Sequence, residues 1–218
     1  SSVLEPFTIP EFARYVHQAL KILSSKYTIG FENWIIWGHS MGGAVTYNAV
    51  KQYPMTFDKM GYIVLEAPAF ERHLTFGTKA AIHLSRLIRN SRLGHMIGRY
   101  VTQTYYTKRE LPSGPSNHQR FSIEGHCDSY RVLEANTTSI RHPANNFDAA
   151  TFESVGLNKL IWVWSPDDVV LHAQPPDMIP QNQQIQLKTA HGISSAAPKL
   201  VCDAFLSRSR SQKNYFAQ

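Results

Sequence analysis

The chain has 218 residues, of which 43% are hydrophobic and two are cysteines, and its formal net charge is +6. This composition excludes a disordered or fibrous protein, and the length allows one domain with a substantial core. Cys127 and Cys202 form no C-x-x-C pair and no run of 18 apolar residues occurs, so neither a zinc site nor a membrane-spanning helix is expected. Residues 1–6 lack the pattern of a signal peptide, which favours a cytoplasmic over a secreted protein.

The first predicted helix covers residues 10–26. Thr8 and Glu11 have the spacing of a capping box at its start, and the apolar residues that follow have a helical period. Residues 34–37 form a continuous apolar run, which is typical of a strand buried on both faces. Residues 41–52 then predict a second helix, which ends just before a proline.

Three further apolar runs, residues 62–65, 159–164 and 184–187, are predicted strands, and residues 198–206 are a predicted helix. Strands that alternate with helices indicate an α/β fold, with a mostly parallel sheet flanked by helices. The tail of residues 207–218 is rich in Ser, Arg and Lys, and we expect it to be frayed or disordered.

The alternation of strands and helices stops between residues 71 and 157. A helical stripe of apolar residues at 84–101 predicts a largely helical cap inserted over the ends of the strands. Residues 1–70 and 158–218 would then form the core of the fold, with residues 71–157 as the insertion.

The predicted cap has an uneven charge. Residues 71–109 contain eight basic residues against one acid, Glu71, which favours anionic partners such as phospholipid head groups or a membrane surface. A solvent-facing helix surface accounts for the excess equally well. Aromatic residues are not interleaved with the arginines, so nucleic-acid binding is not expected. The basic residues are Arg72, Lys79, Arg86, Arg89, Arg92, Arg99, Lys108 and Arg109.

The sequence Gly-His-Ser-Met-Gly-Gly around Ser40 fits the pattern G-x-S-x-G between a buried strand and a helix. A sharp turn of this kind strains the backbone of the serine, and we expect Gly38 and Gly42 to allow the close backbone approach that it needs. Ser40 would present its Oγ as a nucleophile at a helix N-terminus. The backbone N–H of Met41 would bind the developing oxyanion.

A serine hydroxyl needs a histidine to take its proton and a carboxylate to orient that histidine, in the chain order Ser, acid, His. Asp167 and Asp168 follow the third predicted strand, and we choose Asp168 because Asp167 suits a turn or a helix cap. His191 follows the fourth strand and is the predicted base. Glu66, after the second strand, is the fallback acid, for which a packing role is favoured, and His39 is expected to be structural.

The nucleophile turn, the Trp-Ser-Pro-Asp-Asp-Val-Val segment at 164–170 and the Ala-His-Gly loop at 190–192 resemble the α/β-hydrolase superfamily, particularly its lysophospholipase, monoacylglycerol lipase and carboxylesterase-like members. The resemblance implies cleavage of small-molecule or lipid carboxylic esters through an acyl-Ser40 intermediate, with His191 as base and then acid, and without a cofactor or metal. Thioesterases, acyltransferases and peptidases of the superfamily use the same triad. A non-catalytic binding subunit that retains the fold is the alternative from another class.

Members of this superfamily usually carry several strands before the nucleophile turn, whereas one helix precedes it here. The first strand would therefore expose an edge that a neighbouring strand normally covers. We expect an N-terminal segment or a second chain to complete the sheet and to supply the second oxyanion donor.

Overall fold

The computed structural model describes residues 8–27, 30–73, 145–148, 150–168, 170–189 and 191–215, with the single positions 76, 80 and 96. One sheet contains four strands in the order β1-β2-β3-β4, and each neighbouring pair is parallel. This confirms the predicted α/β fold, and every predicted strand lies within two residues of the observed one. The strands are β1 (Ile35–His39), β2 (Tyr62–Glu66), β3 (Leu160–Trp164) and β4 (Gln184–Gln186).

Helices flank the sheet. The first begins at its predicted cap, where the carboxylate of Glu11 accepts hydrogen bonds from the backbone N–H of Thr8, at 2.6 Å, and from its hydroxyl, at 3.0 Å. The second has the predicted bounds. The helices of the described residues are α1 (Ile9–Lys26), α2 (Met41–Gln52), α3 (Pro54–Phe57), α4 (Ala150–Glu153), α5 (Ile193–Ala196) and α6 (Pro198–Tyr215).

The prediction of a frayed tail after residue 206 is wrong as far as Tyr215, because α6 continues to that residue. The side chain of Arg208 accounts for part of the difference. Its Nε donates to the carbonyl oxygen of Asn182 at 3.1 Å, and its Nη2 donates to the carbonyl oxygen of Gln184. Arg208, in the polar tail, is thus hydrogen-bonded to the backbone at the start of β4.

Alternate residues of the central strands point to opposite faces of the sheet, and each face has its own apolar core. On one face, Leu65 and Trp162 pack against α1 and α2. On the other, Val64 and Val163 pack against α6. All four side chains are fully buried. The sheet is therefore covered by helices on both sides, and its strand ends are left to carry the loops.

β1 lies at one end of the sheet, as expected for the first strand. Its side chains are less buried than those of β2, since Ile35 is 48% exposed and Trp37 is 36% exposed. No described residue pairs with the outer edge of this strand.

Residues at the C-terminal end of the predicted cap pack into the core. Phe152 and Val155 are buried in the same cluster as Tyr47 of α2. Most of the rest of the predicted cap, including nearly all of the apolar stripe at 84–101 and of the basic segment, lies outside the described residues. None of the described helices is long and apolar enough to cross a membrane.

Candidate active site

Ser40 joins β1 to α2 in a strained conformation, with φ at 53° and ψ at −118°. A positive φ costs a residue with a side chain about 1–2 kcal/mol, so the surrounding structure must hold it. The loop after β2 does so from both sides. The N–H of Ser40 donates to the carbonyl oxygen of Glu66 at 2.8 Å, and its carbonyl oxygen accepts from the N–H of Ala69 at 2.9 Å. These two bonds fix the backbone of Ser40.

Two glycines make the turn possible. A Cβ on Gly38 would lie 2.5 Å from Oγ1 of Thr46, and would also collide with the carbonyl oxygen of Gly42. A Cβ on Gly43 would lie 2.9 Å from Cβ of Pro68. Gly42 faces no described atom within 4 Å. The expected close approach of the backbones of Gly38 and Gly42 is therefore found. The residues that have no room for a Cβ are Gly38 and Gly43, because a Cβ on Gly42 would meet no described atom.

The structure brings Ser40, His191 and Asp168 together from three different strand ends. Nε2 of His191 lies 2.9 Å from Oγ of Ser40, and Nδ1 lies 2.8 Å from Oδ2 of Asp168. Because the carboxylate accepts, Nδ1 carries the proton and Nε2 is free to accept the serine hydroxyl. His191 and Asp168 are each only 3% exposed. The three groups form one continuous path for a proton.

Asp168 rather than Asp167 faces the histidine. Oδ1 of Asp168 accepts from the N–H of Val170 at 2.8 Å and of Leu171 at 3.0 Å, which leaves Oδ2 for His191. The side chain of Asp167 is exposed. With three N–H donors around it, the Asp168 carboxylate has one fixed orientation.

A serine after β3 joins the loop that carries Asp168 to the loop that carries His191. Oγ of Ser165 donates to the carbonyl oxygen of Thr189 at 2.6 Å and accepts from its N–H at 3.1 Å. The same oxygen accepts from the N–H of Asp167 at 3.1 Å. No sequence signal pointed to this residue, since a serine at a strand end has no defined partner until the two loops are placed together.

Met41 is the first residue of α2. Its N–H has no carbonyl partner within the helix, because the first four N–H groups of any helix lack one. The N-terminus of α2 also carries the positive end of the helix dipole. An oxygen that becomes negative beside Ser40 would find a hydrogen-bond donor and a favourable potential there.

His39 contacts His191 through the backbone carbonyl oxygen of that residue. Nε2 of His39 lies 3.1 Å from the carbonyl oxygen of His191, and the two ring centroids are 4.9 Å apart. Burial, and after it the proximity of His191, lowers the pKa of His39. Its ring is therefore neutral and donates Nε2–H to the carbonyl. The structural role expected for His39 agrees with these contacts.

Glu66, the fallback acid, is fully buried at the end of β2. Its Oε1 accepts from the backbone N–H of Ser194 at 2.7 Å, and its Oε2 accepts from Nε1 of Trp37 at 2.7 Å. Both carboxylate oxygens are thus engaged by groups other than His191.

A second buried histidine supports the loop after β2. Nδ1 of His73 lies 3.1 Å from the carbonyl oxygen of Pro68, and Nε of Arg72 donates to its Nε2 at 3.0 Å. Burial lowers the pKa of His73 to about 4, so its ring is neutral near pH 7. The described residues contain no group of His, Cys, Asp and Glu side chains that could hold a metal ion.

A family model described as "Serine aminopeptidase, S33" matches residues 5–145, which is more than half of the chain. The chain belongs to this family of α/β-hydrolases. The matched part contains the nucleophile turn, whereas Asp168 and His191 lie beyond it. The identification therefore rests on the first part of the hydrolase, and the geometry of the triad is an independent observation.

Solved structures similar to the hydrolase include other members of the superfamily. A bromoperoxidase from Bacillus anthracis is 15% identical, with a TM-score of 0.64, and the match covers 96% of this chain and 77% of that one. A putative lipase from Acinetobacter baumannii is 15% identical, with a TM-score of 0.63 and coverages of 97% and 71%. A naproxen esterase from Bacillus subtilis is 13% identical, with a TM-score of 0.54 and coverages of 94% and 67%. These likenesses show the shared fold. No curated protein matches the sequence of the hydrolase.

Proposed function

We propose that this hydrolase is a serine esterase that cleaves carboxylic esters through an acyl-Ser40 intermediate. One observation carries the proposal: the hydrogen-bonded path from Oγ of the half-buried Ser40 through His191 to Asp168, with distances of 2.9 and 2.8 Å. The tautomer that this path requires leaves Nε2 of His191 able to take the proton of the serine hydroxyl.

Acylation begins when Oγ of Ser40 attacks the ester carbonyl carbon and its proton moves to Nε2 of His191. The carbonyl oxygen becomes negative and accepts from the N–H of Met41. When the intermediate collapses, the bond to the alcohol oxygen breaks, and His191 returns the proton to that oxygen. The products of this half-reaction are the free alcohol and the acyl-Ser40 ester.

Deacylation repeats the sequence with water. His191 takes a proton from a water molecule, the hydroxide oxygen attacks the acyl carbon, and the bond to Oγ breaks. His191 then returns the proton to Ser40, and the carboxylic acid leaves. Asp168 holds the ring orientation in both halves and stabilises the positive charge on the histidine.

A peptidase is the second candidate, because the description of the matching family names a serine aminopeptidase. The same triad can cleave an amide, with His191 protonating the leaving amine. An aminopeptidase also has to bind the α-ammonium group of its substrate, for which a carboxylate is the usual partner. In the described part of the chain, the two buried carboxylates, Glu66 and Asp168, are already engaged, which favours esters.

The sequence of the cap suggests which acyl chain and which alcohol group the ester substrate has. We propose that the apolar stripe at 84–101 contacts an apolar acyl chain, and that the basic segment 71–109 attracts an anionic head group or membrane surface. Hydrolysis of a neutral and an anionic ester of equal acyl length, measured at low and at high salt, tests the second assignment. Only the anionic ester should lose turnover as salt rises.

Turnover of p-nitrophenyl butyrate and of L-alanine p-nitroanilide tests the function. Wild-type protein is expected to hydrolyse the ester faster than the anilide, and Ser40→Ala should abolish both activities. Ser25→Ala is the matched control, because Ser25 is exposed on α1 and its Oγ donates to the carbonyl oxygen of Ile22. Faster hydrolysis of the anilide would favour the peptidase. Equal rates of hydrolysis by wild type and Ser40→Ala would refute both the esterase and the peptidase activity of Ser40, and would favour a non-catalytic subunit.

A further inference from the structure

Glu66 contacts three parts of the site at once. Its carbonyl oxygen accepts from the N–H of Ser40, its Oε2 from Trp37 of β1, and its Oε1 from Ser194 in the segment after His191. Glu66 therefore links the segment of Ser40 to the segment of His191, a link that His39 makes separately through its bond to the carbonyl oxygen of His191.

The carboxylate of Glu66 is costly to bury. The residue is 0% exposed, and the two donors that reach it are the N–H groups of a backbone amide and an indole, neither of which is a cation. A buried acidic group without an ion pair is destabilising unless hydrogen bonds compensate for the lost water. An apolar residue would fill the end of β2 at lower cost, so packing alone does not account for a glutamate there.

The bond to Ser194 acts close to the base. Ser194 is three residues after His191 and is the second residue of the short helix α5. The N–H of Ile193 donates to the carbonyl oxygen of His191 at 2.9 Å, and Nε2–H of His39 reaches the same oxygen at 3.1 Å. The backbone of His191 is thus held by His39 from one side and, through α5, by Glu66 from the other.

We propose that Glu66 is a positioning residue that fixes His191 relative to Ser40. Its backbone carbonyl oxygen holds Ser40, and its carboxylate joins β1 to the segment that carries His191, so this one residue connects the two parts of the site. Glu66 does not serve as the acid that orients His191, because both of its carboxylate oxygens accept hydrogen bonds from Trp37 and Ser194. The expected effect on turnover rests on the proposed esterase function, whereas the expected effect on the His191 ring does not.

Replacement of Glu66 separates this role from packing. Glu66→Gln keeps the volume and one acceptor oxygen, and Glu66→Ala removes both acceptors. We expect kcat for p-nitrophenyl butyrate to fall about tenfold in Glu66→Gln and about a hundredfold in Glu66→Ala, with KM within about twofold, since misplacement of a catalytic group by about 1 Å costs that much. Glu153→Gln, the same change at an exposed position, should leave both constants unchanged. A wild-type kcat in folded Glu66→Gln would overturn the proposal, whatever its thermal stability.

A measurement without substrate keeps the inference separate from the esterase function. The proton on Nδ1 of His191, which bonds to Asp168, should give a downfield resonance in the proton NMR spectrum, and Asp168→Asn should remove it. In Glu66→Gln this resonance should broaden or shift as the ring loses its fixed orientation, and in Glu153→Gln it should be unchanged. An identical resonance in wild type and Glu66→Gln would contradict the positioning role even if the protein hydrolysed no ester.

Discussion

Gly43 and Pro68 are in such close contact that a Cβ on the glycine would lie 2.9 Å from Cβ of the proline. This contact joins the first turn of α2 to the loop after β2. The N–H of Ala69 in that loop and the carbonyl oxygen of Glu66 at the end of β2 hold the backbone of Ser40. The strained turn of the nucleophile therefore depends on a glycine that lies outside the G-x-S-x-G pattern.

Gly43→Ala is predicted to destabilise the fold and to disturb Ser40. The added methyl group has to displace backbone and ring atoms, which typically costs about 1–3 kcal/mol. Gly42→Ala is the control: its Cβ meets no described atom within 4 Å, and alanine favours a helix by up to about 1 kcal/mol over glycine. The free energy of unfolding in urea checks both. Equal destabilisation by the two variants would contradict the contact with Pro68.

Asp168→Asn is predicted to lower kcat by about four orders of magnitude with little change in stability. The amide can present N–H2 to Nδ1, which favours the tautomer in which Nε2 carries the proton and cannot accept from Ser40. Asp167→Asn should have no such effect, because that side chain is exposed. Steady-state kinetics of ester hydrolysis measures the difference. If Asp167→Asn were the more damaging change, the assignment of the acid would be wrong.

His73 is predicted to make the fold less stable in acid. Its pKa of about 4 in the folded state lies below the ordinary value of 6.5, so the unfolded chain binds more protons between these pH values. The free energy of unfolding should therefore be highest above pH 6.5 and should fall by up to about 3 kcal/mol as the pH drops to 4. Below pH 4, titration of His73 should not lower it further.

His73→Asn tests the assignment, since its amide can still donate to Pro68 but does not titrate. The variant should be less stable at pH 7 because it loses ring packing against Phe70 and Trp162. Its free energy of unfolding should depend less on pH between 6.5 and 4 than that of the wild type. The same pH dependence in both proteins would show that other groups cause the acid sensitivity.

Arg208→Gln is predicted to loosen the last turns of α6. The variant loses the guanidinium hydrogen bonds to the carbonyl oxygens of Asn182 and Gln184. Amide hydrogen exchange across residues 207–215 should become faster, while exchange in β2 stays slow. Lys199→Gln, at an exposed ion pair earlier in the helix, should leave both regions unchanged. Unaltered hydrogen exchange in Arg208→Gln would show that these hydrogen bonds do not stabilise the last turns of α6.

The positions of the strands, and the grouping of Ser40, Asp168 and His191, followed from local patterns. Apolar runs such as 62–65 are short enough to be strands, and a G-x-S-x-G pattern between a strand and a helix is specific for a nucleophile turn. Chain order then pointed to Asp168 and His191, which the structure places within hydrogen-bonding distance of their partners.

Contacts between distant segments could not be predicted. The need for glycine at position 43 depends on where Pro68 lies, and the continuation of α6 depends on carbonyl groups near β4 that Arg208 reaches from 24 residues away. Glu66 could be recognised as a carboxylate at a strand end, but its partner, the amide of Ser194, is 128 residues away. Such pairings appear only when the sheet has brought the strand ends together.

Intact-mass spectrometry after incubation with a fluorophosphonate shows whether Ser40 is an activated nucleophile. An activated serine should take up one phosphonyl group, located on Ser40 by peptide mapping, and Ser40→Ala and His191→Gln should take up none in the same time. No adduct on the wild-type protein, or an adduct of undiminished yield in His191→Gln, would contradict the account.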